Sequence, residues 1–182
     1  HEETTRSREV FVRHFRDNYE EYPQLPIWAA VEIMSFGRLS KLFGGLPTPD
    51  KQAISDHYAI KSPVLKSWLH SLVYVRNLCA HHARLWNREM VIAPRLPDKD
   101  ERWNVSQPKR LATTLYLLNW LASRIPRREE LAADWRGRIE GLLHNNPGVP
   151  NFLGSMGLDA DWKKHPLWRI NFQRESDSRG GS

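Results

Sequence analysis

The chain has a single cysteine, Cys79, among its 182 residues, so no disulfide can form within it and stability has to come from packing. No apolar run approaches the roughly 18 residues that a membrane-spanning helix needs, and nothing reads as a secretory signal. The expectation is therefore a cytoplasmic protein with no membrane partner. No glycine-rich loop has the form of a P-loop or of a dinucleotide-binding turn, and no internal repeat stands out. Those absences remove support for nucleotide-dependent and solenoid readings.

What is present is a hydrophobic fraction of 40% that includes eight tryptophans. Large aromatic side chains bury much area each, so a folded core is expected, with the tryptophans mostly inside it. The length suits one domain, placed at residues 6–168, with a polar, Gly-terminated tail at 169–182 that is given no function. A formal net charge of +6 and a pI of 9.7 raise the expectation of a polyanionic partner.

Helical periodicity runs through most of the chain. Val10, Phe11, His14, Phe15, Asn18 and Tyr22 predict a first helix over 6–22, stopped by Pro23. Ile27 to Phe43 predict a second, ending at Gly44 and Gly45. Asp50 is a candidate N-cap for a third through Tyr58, and Ser62 with Pro63 for a fourth from Val64 to Arg88. Residues 89–105, with Pro94 and Pro97, read as a surface loop. Ser106 and Pro108 open a helix through Leu121, and residues 127–144 give another. Residues 145–168 read as turns with isolated aromatics. The fold class is all-α.

The fourth helix carries the chemistry. Leu65, Leu69, Leu72, Cys79, Ala83 and Trp86 make an apolar stripe, and Arg76 falls on it, so a structural ion pair is one reading of that arginine. The opposite face collects His70, Tyr74, Asn77, His81, Arg84 and Arg88. Imidazole, phenol, amide and guanidinium groups bind and protonate phosphate esters, although a solvated face is the plainer alternative. His82 lies at the edge of the stripe, where a core or interface histidine is the plain reading. A zinc site from His70, His81 and His82 lacks a cysteine or carboxylate at ligand spacing, and a Cys79–His82 thiol pair would place its sulfur on the apolar stripe.

The string Arg76-Asn77-Leu78-Cys79-Ala80-His81 resembles the HEPN ribonuclease motif, an arginine, four residues and a histidine. The wider run LHSLVYVRNLCAHHARLWNR at Leu69 to Arg88 resembles the Abi-like family of abortive-infection proteins (AbiD/AbiF type). LPIWAAVEIMSFGRLSKLF at Leu25 to Phe43 and MGLDADWKKHPLW at Met156 to Trp168 agree with it. The resemblance implies a HEPN-like helical bundle acting as a metal-independent endoribonuclease toxin of phage defence, with no cofactor. Family members carry further helices before the point where this sequence starts, so it is expected to be the C-terminal part of a longer protein.

By the same resemblance Arg76 and His81 are the catalytic pair, with Asn77 as a helper. His70, Tyr74, Arg84 and Arg88, on the polar face, and His82 beside it, to which the resemblance assigns no role, are expected to contact RNA. The expected partners are an RNA substrate, an RNA or protein antitoxin and a second copy of the chain. The competing reading is a non-catalytic HEPN module that binds RNA, a nucleotide or a protein. Residues five apart stand about 140° apart on a regular helix. Arg76 and His81 can therefore meet one phosphate only if the helix is distorted, the arginine wraps round, or two chains share a cleft.

Overall fold

A computed structural model describes residues 6–19, 21, 24–125, 129–144 and 149–170, and among them no strand occurs. The all-α expectation holds. The chain divides into two compact units, His1–Leu46 and Pro47–Ser182.

The first unit contains α1 (Val10–Asn18), α2 (Ile27–Ile33) and α3 (Phe36–Gly45). In α1 the side chain of Asn18 donates to the carbonyl of His14 at 2.8 Å, and Phe15 stacks on Tyr19. The predicted stop, Tyr22 and Pro23, lies outside the described residues. The single helix expected over 27–45 is two helices, because Met34 and Ser35 are extended and the Ser35 hydroxyl accepts from the amide of Arg38 at 3.3 Å. A hydroxyl able to cap competes with helix continuation in the middle of an apolar run. Gly44 and Gly45 do not supply a left-handed stop; α3 runs through both and ends on extended Leu46. Trp28 is 72% exposed, against the expectation for tryptophans.

The second unit contains α4 (Thr48–His57), α5 (Ser62–Ala80), α6 (Leu111–Ala122) and α7 (Glu129–His144), with 3₁₀ turns at Glu101–Trp103, Gly154–Met156 and Trp162–Lys164. Helix α4 packs on α5, and α6 on α7. Asp50 sits inside the first turn of α4 rather than capping it, where its charge meets the positive end of the helix dipole. Helix α6 starts at Leu111, after a turn closed by the Arg110 amide on the Gln107 carbonyl, three residues beyond the expected Pro108. It is buried on almost every face, with Ala112 to Leu117, Asn119 and Trp120 all inside, so it is the centre of this unit.

Two stretches, one expected to be a surface loop and the other read as turns with isolated aromatics, contribute to the core. In the first, Met90, Pro94 and Trp103 are buried. Trp68 donates its indole N–H to the carbonyl of Arg95 at 2.7 Å, and the amide of Arg95 donates to the Ser67 hydroxyl at 2.8 Å. In the second, Met156, Leu158, Trp162, Leu167 and Trp168 are buried, and the amide of buried Asn119 donates to the carbonyls of Leu167 and Trp168. Tryptophan rings run through the interior: Trp103 lies 4.7 Å from Trp68 and 5.7 Å from Trp120, and Trp162 lies 4.8 Å from Trp168.

Helix α4 ends in a Schellman turn. Ala59 takes the left-handed position at φ 51, its amide reaches the carbonyl of Asp56, and the amide of Ile60 reaches that of Ser55. A β-carbon at that position costs about 1 kcal/mol. Ala59→Gly is therefore expected to raise stability by about 0.5–1 kcal/mol in urea titration, with the slope unchanged; a loss of stability would show that the turn is held some other way.

Candidate functional site

All the buried residues of α5 lie between Val64 and Val75. Its last turn, from Arg76, therefore projects past the packed part of the helix. Arg76, Asn77, Cys79 and Ala80 are exposed, as are His81 and His82 after it. Arg76 is thus not a buried member of the apolar stripe; it lies at the stripe's flank, where its guanidinium donates to the Asn77 amide oxygen at 3.2 Å. No carboxylate pairs with it among the described residues, so the reading of a structural ion pair does not apply. Arg76→Ala is accordingly expected to leave thermal unfolding within about 0.5 kcal/mol of the parent. Cys79 is exposed too, because the core does not extend to its level of the helix.

The helix stops eight residues short of the expected Arg88. Ala80 is its last residue and His81 its C-cap. His82 then adopts φ 52. Its amide bonds the carbonyl of Cys79 at 3.0 Å, and the amide of Ala83 bonds that of Leu78 at 2.8 Å. This is a second Schellman turn, with histidine where glycine is usual. The break lies beyond both residues of the expected pair: the His81 amide still bonds the Asn77 carbonyl at 3.0 Å, so His81 stays close to its helical position and the angle of about 140° from Arg76 remains. Within one chain the long arginine side chain has to wrap round; a cleft shared by two chains is the other route.

Of the other expected site residues, His70, Tyr74 and Asn77 share the α5 face opposite the buried stripe, with Tyr74 half-buried. Arg84 and Arg88 are not on the helix. They lie in the segment that leaves the His82 turn, where the Arg88 Nε donates to the Arg84 carbonyl at 2.7 Å. That segment is fixed further on: Trp86 stacks with Phe152, buried Met90 donates its amide to the carbonyl of Lys109 at 2.8 Å, and the Arg110 guanidinium donates to the Asn87 side chain at 3.3 Å. Lys109, Arg110 and Asn87 escaped the sequence reading, since residues 23 apart give no periodic signal.

Among the described residues no group of three or more His, Cys, Asp or Glu could hold a metal ion, so His70, His81 and His82 do not gather into the zinc arrangement considered above. A cavity of about 280 Å³, lined by Ile60, Pro63, Val64 and Pro97 among others, opens at the other end of α5. At a rise of 1.5 Å per residue it stands about 27 Å from His81. No described helix is long and apolar enough to cross a membrane.

A titratable pair with shifted behaviour lies away from the α5 end, on α6 and the C-terminal turns. Tyr116 and His165 stack at 4.4 Å. Burial, aided by the charge of Asp159, pushes the Tyr116 phenol up to about 12. Burial lowers His165, against the opposing pull of Asp159. An unfolded histidine, near 6.5, then binds a proton more readily than the folded one, so stability is retained above that value and falls as pH drops from about 6.5 through the depressed folded value. The unfolding midpoint of the parent should decline between pH 7.5 and pH 5 more steeply than that of His165→Gln; parallel curves would discard the assignment.

Residues 1–87 match the Abi-like protein family. The matched stretch holds α1 to α5 and the whole turn from Arg76 to Ala83, so the Abi-like resemblance is borne out there. Two of the three sequence blocks lie in or at the edge of the Abi-like stretch, and the third, Met156 to Trp168, lies beyond it. Neither the curated proteins nor the solved structures give a significant match. The Abi-like match suggests a part in abortive infection, a form of phage defence.

Proposed function

We propose that the chain is a metal-independent endoribonuclease of phage defence, with the exposed end of α5 as its cleavage site. The observation that carries the reading is the exposure of Arg76, Asn77 and His81 at the end of α5, with no carboxylate on the arginine among the described residues. An exposed guanidinium without a described carboxylate partner can fork two phosphate oxygens, and an exposed imidazole can accept and donate a proton.

In this mechanism the ribose 2′-oxygen bonds to phosphorus while its proton passes to the His81 imidazole. The bond from phosphorus to the 5′-oxygen breaks, and that oxygen leaves with a proton from solvent. Arg76 holds the charge that builds on the non-bridging oxygens. Asn77, hydrogen-bonded to Arg76, keeps the guanidinium in place. The products are a 2′,3′-cyclic phosphate and a 5′-hydroxyl.

The test is the end chemistry of RNA incubated with purified protein in excess EDTA. Cyclic phosphate ends are expected; loss of cleavage on chelation, restored by a divalent ion, would overturn the mechanism. RNA that stays intact but bound would favour the non-catalytic module. A homodimer joining two copies of this face belongs to the same proposal, because the helix stays regular as far as His81 and a shared cleft is one way to bring an arginine and a histidine to one phosphate. Light scattering at micromolar concentration would show a dimer, and a fully active monomer would remove it.

A further inference from the structure

We infer that Arg84, Arg88 and Arg110 form one phosphate-binding strip, along which single-stranded RNA runs from the His81 turn toward the start of α6. The inference rests on the RNA reading of the α5 end and adds to it a path and a residue, Arg110, from a different part of the chain.

The strip is continuous through bonds. Arg88 donates to the Arg84 carbonyl at 2.7 Å, Asn87 precedes Arg88, and the Asn87 side chain accepts from Arg110 at 3.3 Å. The charges on it are not neutralised. Elsewhere in this unit Arg95, Arg102 and Arg138 each pair with an aspartate, Asp98, Asp100 and Asp134 respectively. The three strip arginines bond only carbonyl and amide oxygens, or no described group at all in the case of the Arg84 side chain. The one carboxylate next to them in sequence, Glu89, is engaged by Lys109 at 3.3 Å. Gathering like charges with no counter-charge is unfavourable in the free protein and is relieved by a polyanion, which also releases its own counterions.

Arg110 is also held in place. Gly157 sits against its stem at φ 80, so close that a β-carbon there would come within 2.8 Å of the Arg110 Cβ. Its guanidinium is fixed at the other end by Asn87, itself left-handed at φ 50. A guanidinium fixed before binding loses less freedom when a phosphate arrives.

The probe is a labelled 12-nucleotide 2′-O-methyl RNA, which cannot be cleaved at the 2′-oxygen, followed by fluorescence anisotropy between 50 and 200 mM salt. Asn87→Asp puts a carboxylate on Arg110 without removing the arginine or asking more of the turn, since aspartate tolerates the left-handed region. It and Arg110→Gln are each expected to weaken binding about three- to tenfold at low salt and to reduce the salt slope by about 1. Arg138→Gln, a paired arginine on α7, should bind as the parent does. Two variants that unfold like the parent yet bind the RNA with unchanged affinity and slope would overturn the strip. If the strip variants weaken binding while unmodified RNA is never cut, the strip stands and the cleavage reading falls; if RNA is cut and the variants bind as the parent does, the strip falls alone.

Discussion

His81→Ala is expected to lower RNA cleavage by about 10²- to 10⁴-fold, the range that a positioned acid–base group contributes, while leaving the unfolding curve of the protein in place. The second half of that expectation comes from the structure. His81 is exposed and caps α5 with φ −97 and ψ 16, a conformation alanine adopts without strain. Its neighbour makes a control, because His82 holds the left-handed position of the same turn. His82→Gly should retain cleavage and gain about 0.5–1 kcal/mol of stability. A well-folded His81→Ala chain that cuts RNA at the parent rate would sink the assignment of the site.

The largest loss of stability is expected at Trp68. Its side chain is fully buried, lies 4.7 Å from Trp103 and donates to the carbonyl of Arg95. Trp68→Ala should cost about 3–5 kcal/mol, a large part of the 5–15 kcal/mol that holds a domain together. Trp68→Phe keeps most of the ring and leaves the Arg95 carbonyl without its donor, so about 1–3 kcal/mol is expected there. Both numbers come from the denaturant midpoint at constant slope. Equal losses in the two variants would mean that the hydrogen bond, not the ring, fastens residues 90–105 to α5.

Periodicity made the helices legible, and it made least of the places where they end. The stripe of Leu65, Leu72 and their neighbours announced α5, but nothing in Cys79-Ala80-His81-His82 has the glycine or proline that usually marks a stop. The stop is made by backbone bonds to Leu78 and Cys79, which any residue able to take a left-handed φ can form. The same blindness joined α2 to α3, where one serine hydroxyl decided the break. Arg76 was misplaced for a different reason: a helical wheel gives direction but not how far along the helix the neighbouring core extends.

The proline-rich segment 89–105 was read as a surface loop because local polarity dominates such a reading, and the turn-rich segment 145–168 gave no sign of its packing. Their buried residues Met90, Trp103 and Trp168 are paired with partners far away in sequence, Lys109, Trp68 and Glu140, which no local window contains. The arginine, asparagine and histidine of the candidate site were legible because they lie within one turn and a half of a helix. Arg110 was not, because only the folded path from Asn87 to α6 brings it near.

The projecting end of α5 also divides the molecule in time. A last turn with no buried side chain and two capping bonds can open without disturbing the tryptophan interior, so its opening should be a local event, well below the free energy of unfolding the whole unit. Amide hydrogens of His82 and Ala83 should then exchange with solvent far sooner than those of Leu117 or Trp120, and bound RNA should slow the first pair alone. The end proposed to cut RNA would behave as a latch with its own equilibrium, mounted on a body that stays shut.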